Sequence, residues 1–495
     1  METTTTSPII NPLNLPEILL IIAQFLTRKE LSQCVRVSRT WHESFLPKLW
    51  ETLDFTSVQK AEILHYELAL KILANEPSRR SFVKNFVCSI VNIPDFPIKF
   101  LNLVSLEVEW RLWRNTKNFI DFVSKHIQSI ERLSLSNIRL KVPYNFWDVM
   151  LSAHRLSELR LRRFHIHHRH CLQSFWILCS NLEALHISKS NIPIISSPLD
   201  EEDSPREAQS FSRLRTMELE DIEGQSLAMQ LEWIGICKEL ESLRWVHRTQ
   251  QSRFAIVINN FADMALDGKW PKLHSLQIPF TDIQDRDLAN ILQSMSSVRV
   301  LDATRSRLGP LSFQEIRLHF NTIQRLELSK CPSLTSTMLR EILQSCPQLR
   351  TLVGKTVLCT WDVVESEKCP WVCTRLRELR IDFEFEQSGE NQEYDRAMMN
   401  IFEKLSALTM LEILDLSSVV RSNNHIQLLL SKGLGQLRSL RHLRLLRING
   451  TKQYMSIEEI QWMKTHWRNL EALEGYMNVS PEKNQELRGM LGWLF

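Results

Sequence analysis

Apolar residues recur along most of this chain in one spacing, L-x-x-L-x-L. It appears at Leu103-Leu106-Val108, Ile130-Leu133-Leu135, Leu156-Leu159-Leu161 and Leu182-Leu185-Ile187. It continues through Leu214-Met217-Leu219, Leu240-Leu243-Trp245, Leu273-Leu276-Ile278, Val298-Leu301-Ala303, Ile323-Leu326-Leu328 and Leu349-Leu352. Leu376-Leu379-Ile381, Leu411-Leu414-Leu416, Leu440-Leu443-Leu445 and Leu470-Leu473 complete the series. The last two apolar positions of each template are two residues apart, so in a strand they point to one side while the residue between them points to the other. Segments between templates, such as Asp285–Leu292 and Thr337–Leu343, carry the spacing of amphipathic helices. Ahead of the series, residues 15–50 read differently. Ile18, Leu19, Ile21, Ile22, Phe25 and Leu26 make one helix apolar nearly all round, which demands cover on more than one side.

The templates return about every 26 residues, a period that points to a leucine-rich-repeat solenoid. No single unit buries its own apolar face; stacked neighbours must do so. The expected fold is therefore α/β, with parallel strands on the concave face and helices on the convex face, in about fourteen units. Residues 323–349 are the clearest unit, and their Leu-Ser-Lys-Cys-Pro-Ser-Leu-Thr run resembles the cysteine-containing repeats of F-box proteins. Other units lack that cysteine, so the array is expected to be irregular. Residues 188–213, 246–270 and 383–399 are long spacers. The first includes the acidic run SSPLDEEDSPRE and the second carries enough apolar residues for an extra helix, whereas the third is acidic and polar.

The first segment has local signals of its own. Pro16 suits the first turn of a helix, where its missing N–H has no partner to lose. Thr27-Arg28-Lys29-Glu30 has the form of a capping box and predicts a new helix. A unit of this size, without disulfides or metal ligands, needs a partner or the rest of the chain to cover it. The order Leu15-Pro16-Glu17-Ile18, Ile22, Phe25-Leu26, Leu31, Cys34, Val37-Ser38-Arg39, Trp41, Leu49-Trp50 closely resembles an F-box. With the repeats behind it, the chain resembles the F-box proteins with C-terminal leucine-rich repeats. That resemblance implies a small all-helical F-box over residues 11–55 that docks on a Skp-family adaptor and joins a cullin–RING (SCF-type) ubiquitin ligase. It places Leu15, Pro16, Ile18, Leu19, Ile22, Leu31 and Val37 at or near the adaptor contact, with Trp41 and Trp50 bracing the core and the junction. The remaining divisions expected are a disordered stretch at 1–10, a helical linker and solenoid cap at 56–100, the repeats at 101–480 and a C-terminal cap at 481–495. A repeat scaffold with a degenerate or non-degradative F-box is the alternative.

Composition narrows the function. The net charge is +3 with acids and bases nearly balanced, which argues against a dedicated nucleic-acid binder. Ten scattered cysteines without a framework read as free thiols in a reducing compartment, so cytoplasm or nucleus is expected. The apolar run at Ile18–Leu26 is too short to span a bilayer, which takes about 20 residues. Only 12 glycines are present and none forms a phosphate loop; no nucleophile–base arrangement stands out. His165, His167, His168, His170 and Cys171 are zinc-ligand types, but they alternate with arginines and read as a repeat loop. Cys369 and Cys373 lack a second ligand pair, and Ser204-Pro205 reads as part of an exposed acidic loop. Hence no catalytic residue, metal or cofactor is expected. The expected role is to hold an unidentified protein target, and the central outward residue of each strand is where its contacts are sought: Arg160, His186, Glu218, Arg244, Asp302, Glu327, Arg380, Asp415 and Arg444. Their alternating signs suit a polypeptide better than a nucleic-acid backbone.

Overall fold

A computed structural model of the chain describes residues 13, 15–56, 60–88, 98–109, 116–138, 145–166, 169–192, 211–248, 251–359, 370–383, 391–418 and 425–492. The expectations for residues 1–10, the acidic loop with Ser204, and Cys369 fall outside them. Two compact units are present, Met1–Leu214 with Ile222–Ser226, and Arg215–Asp221 with Leu227–Phe495.

The first unit opens with three helices, α1 (Pro16–Ala23), α2 (Arg28–Cys34) and α3 (Arg39–Glu51). The capping box forms as the sequence predicts: Glu30 N–H donates to the Thr27 hydroxyl, and the Thr27 N–H donates to the Glu30 carboxylate at 2.7 Å. Six parallel strands follow in chain order: β1 (Thr52–Phe55), β2 (Asn85–Cys88), β3 (Ser105–Glu109), β4 (Arg132–Ser136), β5 (Glu158–Arg162) and β6 (Ala184–Ser188). Among the described residues the second unit has ten: β7 (Thr216–Glu220), β8 (Ser242–Val246), β9 (Ser275–Gln277), β10 (Val300–Asp302), β11 (Arg325–Glu327), β12 (Thr351–Cys359), β13 (Glu378–Phe383), β14 (Ile413–Asp415), β15 (Leu445–Arg447) and β16 (Ala472–Glu474). Helices between strands include Asp285–Ser294, Pro310–Leu318 and Ser336–Ser345. Each unit is thus a stack of strand–helix repeats, a leucine-rich-repeat architecture.

Burial follows the template. Leu106, Leu133, Leu159 and Leu185 of the first unit are closed to solvent, as are Leu243, Leu276, Leu301, Leu326, Leu352 and Leu379 of the second. Fully burying one such side chain contributes about 1.5–3 kcal/mol. Two strands depart from the leucine template. β1 lies inside the stretch assigned to the F-box, and β2 lies within residues 79–90, where the sequence suggests an atypical first strand through Phe82, Phe86 and Val87, so the sheet starts well before residue 101. Both obey the rule in altered dress, as Trp50-Leu53-Phe55 and Val83-Phe86-Cys88, all buried. One template is out of register. Leu443-Leu446-Ile448, not Leu440-Leu443-Leu445, lines up with the neighbours: Leu414 pairs with Leu446 and Asp415 with Arg447. Two leucines in succession at 445 and 446 satisfy either phase, and only packing decides between them. In the helix Lys60–Asn75, Leu73 is buried and Leu68 is exposed. The helix Asn391–Ser406 begins within the third long spacer.

The turn leaving many of the strands has a repeated conformation. Two residues beyond the last inward apolar position, Asn137, Arg163, Lys189, Asp221, Phe280, Arg305, Lys330 and Gly450 all take positive φ. The left-handed turn aims backbone N–H groups at the adjacent repeat: Asn137 donates to the Arg162 carbonyl at 2.8 Å, Arg163 to Ser188 at 2.9 Å, Phe280 to Thr304 at 2.7 Å and Arg305 to Ser329 at 2.9 Å. Positive φ is uncommon for residues other than glycine. At Gly450 glycine is obligatory, since a Cβ there would stand 2.0 Å from the Ser418 carbonyl oxygen.

Candidate functional site

The helical bundle has a very small core. Leu19, Ala23, Leu31 and Phe45 fill it, with Ile22, Leu26, Cys34, Val35, Trp41 and Leu49 packed at its margin. Trp41 meets Phe45 edge-on at 5.3 Å, and its indole N–H donates to the Leu13 carbonyl at 3.1 Å, fixing the chain ahead of α1. Because α1 is apolar nearly all round, one side is left in water. Leu15 and Leu20 are exposed, Ile21 is 58% exposed, Val37 62% and Phe25 81%. Phe25 lies in the turn just after α1, its N–H donating to the Ile22 carbonyl at 3.0 Å. An apolar group this open on a small bundle marks an interaction surface.

The sheet face differs. Its central row in the first unit runs Asp54, Val87, Glu107, Ser134, Arg160 and His186. In the second it runs Arg244, Gln277, Asp302, Glu327, Val353, Arg380, Asp415, Arg447 and Glu474, with Glu218 opposite Arg244. Arg444, expected in this row, lies before β15 and makes a two-pronged pair with Glu471 at 2.8 and 2.9 Å; Arg447 holds the row position because of the register shift. Asp302 and Asp415, expected to face a target, are buried. Each accepts the backbone N–H two residues on, Thr304 at 3.0 Å and Ser417 at 2.9 Å, so each holds the turn that ends its strand. Asp415 also pairs with Lys355 at 2.8 Å. Burial would raise the Asp415 carboxyl, but Lys355 and Ser417 hold it below the ordinary range. Most other row charges meet neighbours. Arg160 and Arg380 pair with Glu158 and Glu378, Glu327 pairs with Arg325, and Arg244 donates to Gln277 at 3.1 Å. His186 stands 3.7 Å from Glu158.

No cluster of His, Cys, Asp or Glu suited to a metal ion occurs among the described residues. His165 is half-buried and Cys171 buried; His167 and His168 lie outside the described residues. Burial pushes the thiols of Cys237, Cys346 and Cys373 up to about 12, so they are poor nucleophiles. Among the described residues no helix is long and apolar enough to cross a membrane.

The family model described as F-box-like matches residues 15–56. The chain carries an F-box-like domain. No curated protein matches it. Among solved structures it is similar to an internalin of Listeria monocytogenes, at 14% identity over 72% of this chain and 83% of that one, TM-score 0.37. It is also similar to a leucine-rich-repeat protein of Leptospira interrogans, at 14% identity over 86% and 97%, TM-score 0.35. A third is a chain of the yeast Rad7–Elc1 complex, at 14% identity over 97% and 96%, TM-score 0.35. The repeat class of the present chain rests on its own strand register and burial.

Within the F-box-like domain the residues expected at an adaptor contact fall into two groups. Leu15, Pro16 and Val37 are exposed and Ile18 and Ile22 half-buried, so all reach the surface. Leu19 and Leu31 turn inward and are closed off, because a bundle this small needs them for its own core. Leu20, Ile21 and Phe25, which that expectation left out, are the most open apolar side chains of α1 and the turn after it. Their signal was present in the sequence: a helix apolar on all sides cannot bury every side in three short helices.

Proposed function

We propose that this chain is the substrate-recognition subunit of an SCF-type ubiquitin ligase. Its F-box-like domain docks on a Skp-family adaptor and, through it, on a cullin–RING assembly. Its repeats hold a protein target, in cytoplasm or nucleus. The observation that carries this reading is the open apolar surface of Leu15, Ile21, Phe25 and Val37 on a domain whose core is already complete without them. The contribution is proximity and orientation: a bound target is presented to a recruited conjugating enzyme, and this chain does no bond chemistry itself. The buried, high-pKa thiols fit that division of labour.

The test is a pull-down with recombinant Skp-family adaptor, wild type against Ile21→Ala/Phe25→Ala. Truncating interface anchors costs about 2 kcal/mol or more, so the double variant should lose most of the complex. A folded wild-type chain that fails to bind the adaptor would sink the proposal. So would a thiol-sensitive ubiquitin adduct on this chain after incubation with ubiquitin and activating enzyme alone.

A further inference from the structure

Where strands begin, charges of adjacent repeats pair across the stack. Arg155 meets Glu131 at 3.0 Å, Arg213 meets Glu183 at 3.3 Å, Arg215 meets Glu241 at 3.3 Å, and Arg377 meets Glu412 at 3.2 Å. At the last two strands Arg444 meets Glu471 in the same way, at 2.8 and 2.9 Å, and three further arginines lie beside that pair. Arg438, Arg441 and Arg468 line one cleft of about 750 Å³, with His466, Thr465 and Asn469, and no carboxylate is in its wall. A second cleft shares Arg468 and Asn469 and adds His442 with the Arg444–Glu471 pair and Glu412, so the carboxylates lie in that cleft and not in the first. Among the described residues none of these three arginines pairs with an acid, and all three are exposed.

The backbone beneath the cleft is firmly held. The Trp467 indole donates to the Leu437 carbonyl at 3.1 Å, and the Asn469 amide donates to the Arg441 carbonyl at 2.8 Å. Leu437, Leu440, Trp467 and Leu470 are buried under it. Three like charges gathered on a rigid floor repel one another, and an anion relieves that repulsion. The open side chains can hold a ligand from one side only, which suits a segment of polypeptide rather than an enclosed small molecule.

We infer that this cleft binds an aspartate- or glutamate-rich segment of a partner polypeptide, whose carboxylates pair with Arg438, Arg441 and Arg468. Arginine's planar fork matches carboxylates two-pronged, as Arg444 and Glu471 already do next door. The inference deepens the receptor reading, on which it rests, by naming the chemistry of the target segment.

The experiment uses the full chain and a fluorescein-labelled synthetic twelve-residue peptide of alternating glutamate and serine, followed by fluorescence anisotropy. Saturable binding is expected for wild type, weakened at least tenfold in Arg438→Glu/Arg468→Glu. A charge-matched control, Arg299→Glu/Arg350→Glu, changes exposed arginines elsewhere and should bind like wild type. Absence of saturable binding overturns the inference, as does equal loss in the control. Binding only of a version with phosphoserine in place of two glutamates overturns the carboxylate class in favour of phosphate. Adaptor pull-down of the same preparations separates the two readings. Intact adaptor capture without peptide binding removes only the cleft, and the reverse removes only the ligase role.

Discussion

The F-box-like bundle and the repeat array use leucine and isoleucine to opposite ends. In the array, nearly every template position is closed to solvent, and each repeat's apolar face is covered by the next. In the bundle, Leu19, Leu31 and Phe45 complete a core, and a comparable set of apolar side chains stays in water. Apolar surface in the array is therefore consumed by folding, whereas in the bundle much of it is held over for association. Sequence hydrophobicity alone cannot tell these two uses apart; burial does.

The largest effect expected from breaking this contrast is in the array. Leu326→Ala removes a fully buried side chain from the middle of β11 and should destabilise the chain by about 2–5 kcal/mol in denaturant melts. Phe25→Ala in the bundle should move the same melt by no more than about 0.5 kcal/mol while weakening adaptor capture strongly. A melt in which Phe25→Ala matches Leu326→Ala would show that the two regions do not differ in this way.

Polar contacts sharpen the comparison at a smaller scale. Asp285, on the helix Asp285–Ser294, accepts N–H groups from Gly309, Leu311 and Ser312 at 2.8–3.0 Å and so caps the next helix across a repeat boundary. Burial alone would raise its carboxyl, but Ser312, Leu311 and Gly309 bring it below the ordinary range. Its contribution is therefore present above about pH 4 and fades as pH falls through the lowered value. Asp285→Ala should cost about 1–2 kcal/mol at neutral pH. The bundle's cap, Thr27, lies within its own segment, and Thr27→Ala should cost about 1 kcal/mol. Denaturant melts of both variants give the ranking.

His126 offers a pH readout confined to the first unit. Its Nε2 accepts the Phe100 N–H at 2.9 Å, and its Nδ1 faces the Phe122 carbonyl at 2.8 Å. Burial, the dominant cause, lowers its pKa below the usual value of about 6.5, against the pull of Phe122. The unfolded chain then takes up the proton first, so stability is lost as pH drops below about 6.5. The melting temperature should fall between pH 7 and pH 5 in wild type and flatten in His126→Gln. An unchanged slope would mean that His126 is not buried neutral. The smallest effect is expected at the left-handed turns. Lys330→Gly should stabilise by less than about 1 kcal/mol, because relief at φ 61° is partly offset by the freedom glycine has when unfolded.

Most of the fold was legible because the L-x-x-L-x-L spacing reports burial directly. It failed where other residues take leucine's place, as Trp50 and Cys88 do in the first two strands, and where two leucines in succession allowed two phases. The candidate sites were less legible. Strand alternation says which residues face outward, but Asp302 and Asp415 face outward and still turn back onto their own backbone, which depends on the turn that follows. The exposure of Phe25 was implicit in a helix apolar on every side, yet which side stays open is decided by three-dimensional packing alone.

The junction between the two architectures contains no linker. Helix α3 ends at Glu51 and β1 begins at Thr52, already hydrogen-bonded in parallel to β2, with Lys84 N–H on the Glu51 carbonyl at 2.9 Å and Phe55 edge-on to Phe86 at 5.5 Å. The bundle therefore cannot swivel against β1 to β6 without shearing that ladder. If the proposed role is right, the adaptor would grip one end of a lever rather than one end of a tether. The lysines within reach would then be selected by angle and distance, and lengthening the joint by a few glycines between Glu51 and Thr52 would blur that selection while leaving both ends able to bind.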